Sequence, residues 1–310
     1  MVDALLRSVF EPGLFSSGPV HTAAIIGGIA AVVSGVVGTF TVMRGQSFAG
    51  HALSDVSAAG GSASFLLGIS PLLGFVGMAG IAAGGMEMIG VQRARGRDLA
   101  TGIVLGAGLG LAALLLYFDA TFTSTTGAAI TVLFGSMFAI SSSTIPLVVA
   151  FSLVALGMIL VVYRPLILSS VSTELAQVRG VRVRLTESIH LLTLALAVAL
   201  SAMTIGAILS TALLIGPGAA ALRVAHRPAW AIFSAALIGL GTTWGGILLA
   251  YDSYYWSSDH RGWPVSFFVV SLIFIAYLVS GRVGARSTHR APKPLAIEEI
   301  SSSPTQSTRS

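Results

Sequence analysis

His51 and Asp55 stand four residues apart in GQSFAGHALSDVSAAGGSASFLLG, a segment that carries no other charge apart from its imidazole and carboxylate. On a helix, a residue and its i+4 neighbour share a face with side chains about 6 Å apart. An imidazole and a carboxylate placed in this way form a donor pair for zinc, manganese or ferrous iron. The alternative role is structural, a neutral imidazole hydrogen-bonded to the carboxylate and stitching two helices together. At membrane depth each ionisable group costs about 2.5 to 3.5 kcal/mol on insertion scales, so a pair kept on one face marks a functional site.

The composition places the pair at that depth. Only 9% of the 310 residues are charged and 55% are hydrophobic, with a mean hydropathy of +0.89. A soluble domain carries about 25% charge, so the chain reads as an all-α, polytopic helical membrane protein. Its 36 glycines suit helices that approach closely in lipid. The absence of cysteine excludes disulfides, thiolate metal sites and cysteine nucleophiles. Metal ligands must then be His, Asp, Glu, Met or backbone. The pI near 10.1 could suggest nucleic acid. However, the arginines cluster in short gaps between apolar runs, as the positive-inside rule requires, and no nucleic-acid partner is expected.

Apolar runs and flanking charges predict the topology. The first run covers about 19–43 and stops at Arg44; the second, about 47–69, holds His51 and Asp55; the third covers about 71–90. The arginines of Gln92-Arg93-Ala94-Arg95-Gly96-Arg97-Asp98 then mark a cytoplasmic loop, and a fourth run, about 99–118, ends outside at Tyr117-Phe118-Asp119. Residues 128–142 fall short of the roughly 20 residues a span needs and read as a re-entrant or interfacial helix. Parity agrees, because only then do Arg164, Arg179, Arg182 and Arg184 fall inside after the run 144–163. Residues 186–222 are long enough for two short helices meeting near Ala202 to Thr204, and runs at 229–250 and 265–281 complete eight or nine spans. The C-terminus is then cytoplasmic. Residues 1–18 read as a retained amphipathic lead-in, and the Ser, Thr and Pro-rich stretch 283–310 as a disordered cytoplasmic tail.

Other groups have plainer readings. Glu87, at the cytoplasmic end of its run, snorkels. Glu187 and His190, three apart at a helix start, suit the helix dipole better than a metal. Met78, Met86 and Met88 read as core filler. Asp252, Asp259 and His260 decorate an external aromatic cluster and could contact a docking protein. Between spans, RPLILSSVSTELAQVRGVRVRL is too polar to cross and too patterned for a linker. Thr173-Glu174-Leu175-Ala176 followed by Gly180 predicts a short cytoplasmic helix, about 170–184, fit to dock on a partner or to lie solvated.

Three segments, RGQSFAGHALSDVSAAGG, STELAQVRG and TIGAILSTALLIGPGAAALR, resemble in order and spacing three signatures of the permeases of zinc/manganese/iron-type ATP-binding-cassette importers, over roughly residues 20–282. The first signature usually reads GDALSHAVLPG. Here His51 takes the acidic position, Asp55 the histidine position, and Ala59 replaces the proline. The resemblance implies a type II ABC importer permease fold, with His51 and Asp55 as metal ligands. Glu174, Ala176 and Gly180 would belong to a coupling helix seated on an ATPase subunit, with Ser172 replacing the usual aspartate. Gly206, Gly216 and Pro217 would lie in a packed, interrupted helix.

The resemblance also implies no catalysis on the cargo and no permanently bound cofactor, with a divalent metal ion as transported substrate. ATP would sit on a separate cytoplasmic subunit, consistent with the lack of a G-x-x-x-x-G-K-[ST] loop in this chain. An extracytoplasmic metal-binding protein and a second copy of the permease would complete the system in a bacterial inner membrane. Competing readings are a siderophore or cobalamin importer permease, which needs no paired ligands, an intramembrane metal-dependent enzyme, which lacks a third ligand at fixed spacing, and a plain channel.

Overall fold

The computed structural model describes residues 17–89, 94–122, 126–225, 227–256 and 262–288. These form eleven α-helices: α1 (Gly18–Met43), α2 (Ser47–Leu67), α3 (Pro71–Ile89), α4 (Ala94–Phe122), α5 (Thr126–Phe134), α6 (Ile145–Val171), α7 (Thr173–Val178), α8 (Val183–Ile205), α9 (Ala207–Val224), α10 (Pro228–Trp256) and α11 (Val265–Thr288). Two 3₁₀ turns, Met137–Ala139 and Ser142–Thr144, join α5 to α6, and no strand occurs among the described residues.

Eight of these helices are long and apolar enough to cross a membrane. α2 is not among them, because His51, Asp55 and its serines and glycines lower its hydropathy. Its neighbours compensate. α3 and α4 lie along it, α8 and α9 close another side, and nearly all of it from Ala49 to Ser62 is buried. The apolar stretch of α8 is 83% buried and that of α4 only 17%, so α8 is the central post and α4 meets lipid.

Contacts along the bundle give the relative directions. Arg44, just before α2, meets Glu187 of α8, and Gly50 meets Leu194, so α2 and α8 run parallel. Ser54 meets Ala207 and His51 meets Thr211, so α9 returns antiparallel to α2. The α8–α9 break therefore lies beside Ser54, within the length of α2. It falls at Gly206, where φ is +90°, a conformation glycine adopts without a steric penalty. A nine-residue helix such as α5 is about 13 Å long and cannot cross about 30 Å of hydrocarbon. Its end packs instead on the break: a Cβ at Gly206 would stand 2.3 Å from Leu133 O, and one at Gly135 2.5 Å from Ile205 C.

Some elements depart from the sequence expectations. The run ending near 163 continues helical through Arg164 and Pro165 to Val171, because Leu166 and Ser169 remain buried and hold the last turns on the bundle. The short helix between spans, expected over 170–184, is correspondingly brief, Thr173–Val178. α4 begins at Ala94, inside the expected loop, and runs to Phe122, which turns Asp119 inward: it is 1% exposed and accepts a hydrogen bond from Ser62 Oγ of α2. α11 continues to Thr288, six residues into the stretch expected as tail, since no proline interrupts it before Pro292. The lead-in 1–16, the remaining tail 289–310, and Asp259 and His260 lie outside the described residues.

α2 and α3 touch backbone to backbone. A Cβ at Gly60 would stand 2.0 Å from Gly74 O, and one at Gly74 2.1 Å from Gly60 O. Gly60→Ala and Gly74→Ala should each destabilise the detergent-solubilised protein by about 1 to 3 kcal/mol, read as a lowered Tm. Gly77→Ala, which adds its methyl to open space, should leave Tm unchanged.

Candidate metal site on α2

α2 starts at Ser47, directly after the turn that ends α1, and carries the ionisable pair in its second and third turns. His51 Nε2 lies 3.5 Å from Asp55 Oδ2, with side chains 44% and 12% exposed. A direct hydrogen bond would require about 2.7 to 3.2 Å, so the two groups are held apart. Two metal bonds of about 2.1 Å meeting at the tetrahedral angle span about 3.4 Å, which matches the observed gap. The spacing suits one shared cation better than a stitched pair. Both groups also stand on one helix, so the pair by itself joins no two helices.

Thr211 of α9 makes that connection. His51 Nδ1 lies 3.1 Å from Thr211 Oγ1. With Nδ1–H donating to the threonine oxygen, Nε2 keeps its lone pair and faces Asp55, the orientation that outer partners commonly impose on a metal-binding histidine. One turn along α2, Ser54 Oγ donates to Ala207 O at 2.5 Å and touches Ser210 Oγ, and Ser210 Oγ donates to the same carbonyl at 2.9 Å. These hydroxyls set the register of α9 against the site. Sequence reasoning missed Thr211, Ser54 and Ser210. The available signal was the run of small hydroxyl residues in TIGAILSTALL, read only as packing.

The profile of the ABC 3 transport family matches residues 19–280. The chain belongs to the ABC 3 transport family. Relatives include the manganese transport system membrane protein MntC of Listeria innocua, 27% identical over 276 residues, covering 89% of this chain and 96% of the relative. The high-affinity zinc uptake system membrane protein ZnuB of Haemophilus influenzae is 26% identical over 233 residues, covering 74% and 88%. Among solved structures, PsaBC from Streptococcus pneumoniae in complex with Fab superposes with a TM-score of 0.73 at 24% identity, over 90% of this chain and 95% of that one. An inward-facing metal-chelate type ABC transporter gives 0.65 at 16% identity, over 92% and 90%. These likenesses establish the multi-pass helical fold of an ABC transporter membrane protein.

Within this ABC 3 family fold the other singled-out residues are spread along the chain. Ser172 both ends α6 and caps α7, its Oγ accepting from Leu175 N at 3.2 Å. Glu174 is exposed, whereas Ala176 is buried in its own chain and seats α7 against the bundle. Gly180, at φ +78°, closes the helix as Val181 N bonds Ala176 O at 3.0 Å. Gly206 forms the break. Gly216 leaves room for Ile273 of α11, and Pro217 is buried within α9.

Glu187 does not serve the N-terminus of α8. It pairs at 2.9 Å with Arg44, whose positive charge, brought close by the turn after α1, outcompetes the partial charge of a helix end. His190, one turn on, is fully buried. Glu87, near the C-terminus of α3, meets Arg184, near the N-terminus of α8, at 3.6 Å.

Thr211→Val keeps the shape of the side chain and removes the partner of His51 Nδ1. It should weaken divalent-metal binding to the purified protein by about 10-fold or more, measured by titration calorimetry, whereas Thr211→Ser should bind as wild type.

Proposed function

We propose that this chain is the membrane permease of an ATP-driven bacterial importer of divalent transition-metal ions, zinc, manganese or iron. It forms the translocation path and performs no chemistry on the cargo. The observation that carries this reading is the separation of His51 and Asp55 on α2, matched to one ion bound by nitrogen and oxygen. The family and the names of the relatives agree with it. The exchanged order of the two residues keeps the donor set and the helical face, so the chemistry of ion passage is retained.

One chain supplies too few ligands. Among the described residues no three His, Asp or Glu side chains gather to hold a metal. A four-coordinate ion needs four donors. The half-exposed His51 shares an open strip of α2 and α9 with the exposed Phe48 and Ile208. A second permease copy facing this strip would bring its own pair and complete the shell, which supports a homodimer with the path between the protomers.

α7 is read as the coupling helix. Leu175 and Val178 of α7 are exposed at i and i+3, a short apolar edge beside the exposed Glu174 that suits a groove on a cytoplasmic ATPase. ATP-driven closure of paired ATPases would move α7 and switch the permease between outward-facing and inward-facing states, while an extracytoplasmic binding protein delivers the ion.

His51→Ala and Asp55→Ala should each abolish radiometal uptake while membrane expression stays normal, and the double exchange His51→Asp/Asp55→His should keep uptake. Normal uptake in both alanine variants sinks the metal-path assignment. Competition among zinc, manganese and iron, with a ferric siderophore added, identifies the cargo, and uptake of the chelate alone favours the siderophore-type permease. In a separate assay, Glu174→Arg should reduce co-purification of the ATPase and leave metal binding intact.

A further inference from the structure

Arg44 joins three parts of the chain that are far apart in sequence. Its Nη1 donates to Ser169 Oγ at 2.7 Å in the last turn of α6, and its Nη2 meets Glu187 Oε1 at 2.9 Å in the second turn of α8. The ion pair is largely enclosed, with the two side chains 6% and 14% exposed. Ser169 lies three residues before Ser172, the cap of α7, and Glu187 four residues after α8 begins. Both flanks of the cytoplasmic helix are therefore tied to one guanidinium.

The backbone that carries this guanidinium is joined to the start of α2 by a tight hydrogen-bonded turn. Arg44 caps α1, Gly45 takes φ +64°, and the turn is closed by Gly45 N to Val42 O at 3.1 Å and Gln46 N to Thr41 O at 2.9 Å. Gln46 in turn accepts from Gly50 N at 3.1 Å and starts α2. Arg44 and His51 are thus parts of one hydrogen-bonded unit. The planar fork of arginine reaches two oxygens at once, which a lysine ammonium does not reproduce with the same geometry.

We propose that Arg44 is a positioning residue that transmits movement of α7 to α2, coupling ATP hydrolysis to displacement of the His51–Asp55 pair. The proposal rests on reading α7 as the ATPase-docking helix. A displacement of α7 pulls on the end of α6 and the start of α8, and Arg44 passes both to the turn on which α2 is built. It touches neither metal nor nucleotide.

The test uses the permease assembled with its ATPase and its extracytoplasmic metal-binding protein in proteoliposomes with radiolabelled manganese, comparing wild type, Arg44→Lys, Arg44→Gln, Glu187→Gln and the exchange Arg44→Glu/Glu187→Arg. ATPase co-purification, ATP hydrolysis, manganese uptake and ATP-independent manganese binding are read in parallel. Arg44→Lys, which keeps the charge and the fold, should retain co-purification, hydrolysis and binding while uptake per ATP falls about 10-fold, within the usual range of coupling between distant sites. Arg44→Gln and Glu187→Gln should uncouple further, and the exchange should restore part of the uptake. An unchanged ratio of uptake to hydrolysis in Arg44→Lys overturns the proposal, as does a parallel loss of all four readouts, which marks a structural clasp. A wild-type permease that captures no ATPase overturns the reading of α7 and this proposal with it. Capture with no manganese uptake at all contradicts the cargo and with it the proposed coupling to manganese movement.

Discussion

A helix too polar for lipid must be enclosed by helices that are not. α2 bears the close His and Asp pair together with serines and glycines, and among the described long helices it alone is not apolar enough to cross a membrane. Hiding it requires partners that come close, which accounts for the backbone contact at Gly60 and Gly74 and for α8 standing at the centre. It also requires partners for the hydroxyls, which α9 and α4 supply through Ser210 and Asp119. In lipid these polar contacts and close approaches replace the hydrophobic drive of a soluble core. What remains uncovered is one strip, and His51 stands on it.

The site therefore follows from an incomplete enclosure. Asp55 is mostly covered and His51 only half, so the pair has an inner wall of protein and an open side. Thr211 holds the histidine from the wall through Nδ1, and its other nitrogen faces Asp55. Exchanging the two residue types relative to the family's usual order reverses which donor lies nearer the N-terminus of α2. It keeps both donors on one face of the helix, one turn apart.

Much of this was legible in the sequence. Long apolar runs bounded by arginines identify spans, and a short run such as 128–142 cannot be one because length alone forbids it. Gly206 interrupts the long run 186–222 close to the expected point. What was not legible depended on contacts between distant segments. Glu187 reads as a helix-end charge until Arg44, 143 residues earlier, is seen beside it. Thr211 lies 160 residues from His51 and looks like any small residue in a packed helix. Asp119 reads as external because it follows an aromatic pair, yet one more turn of α4 carries it inward. Local pattern locates elements; the partners of polar side chains are set by how those elements pack.

The break at Gly206 has an electrostatic consequence. A helix carries about half a positive charge at its N-terminus and half a negative charge at its C-terminus. Where α8 stops and α9 starts, one end of each kind meets across a single residue. Their fields largely cancel, so the broken backbone beside Ser54 neither attracts a cation nor repels one. The charge in this part of the bundle is left to the carboxylate of Asp55, a side chain rather than the peptide dipoles around it.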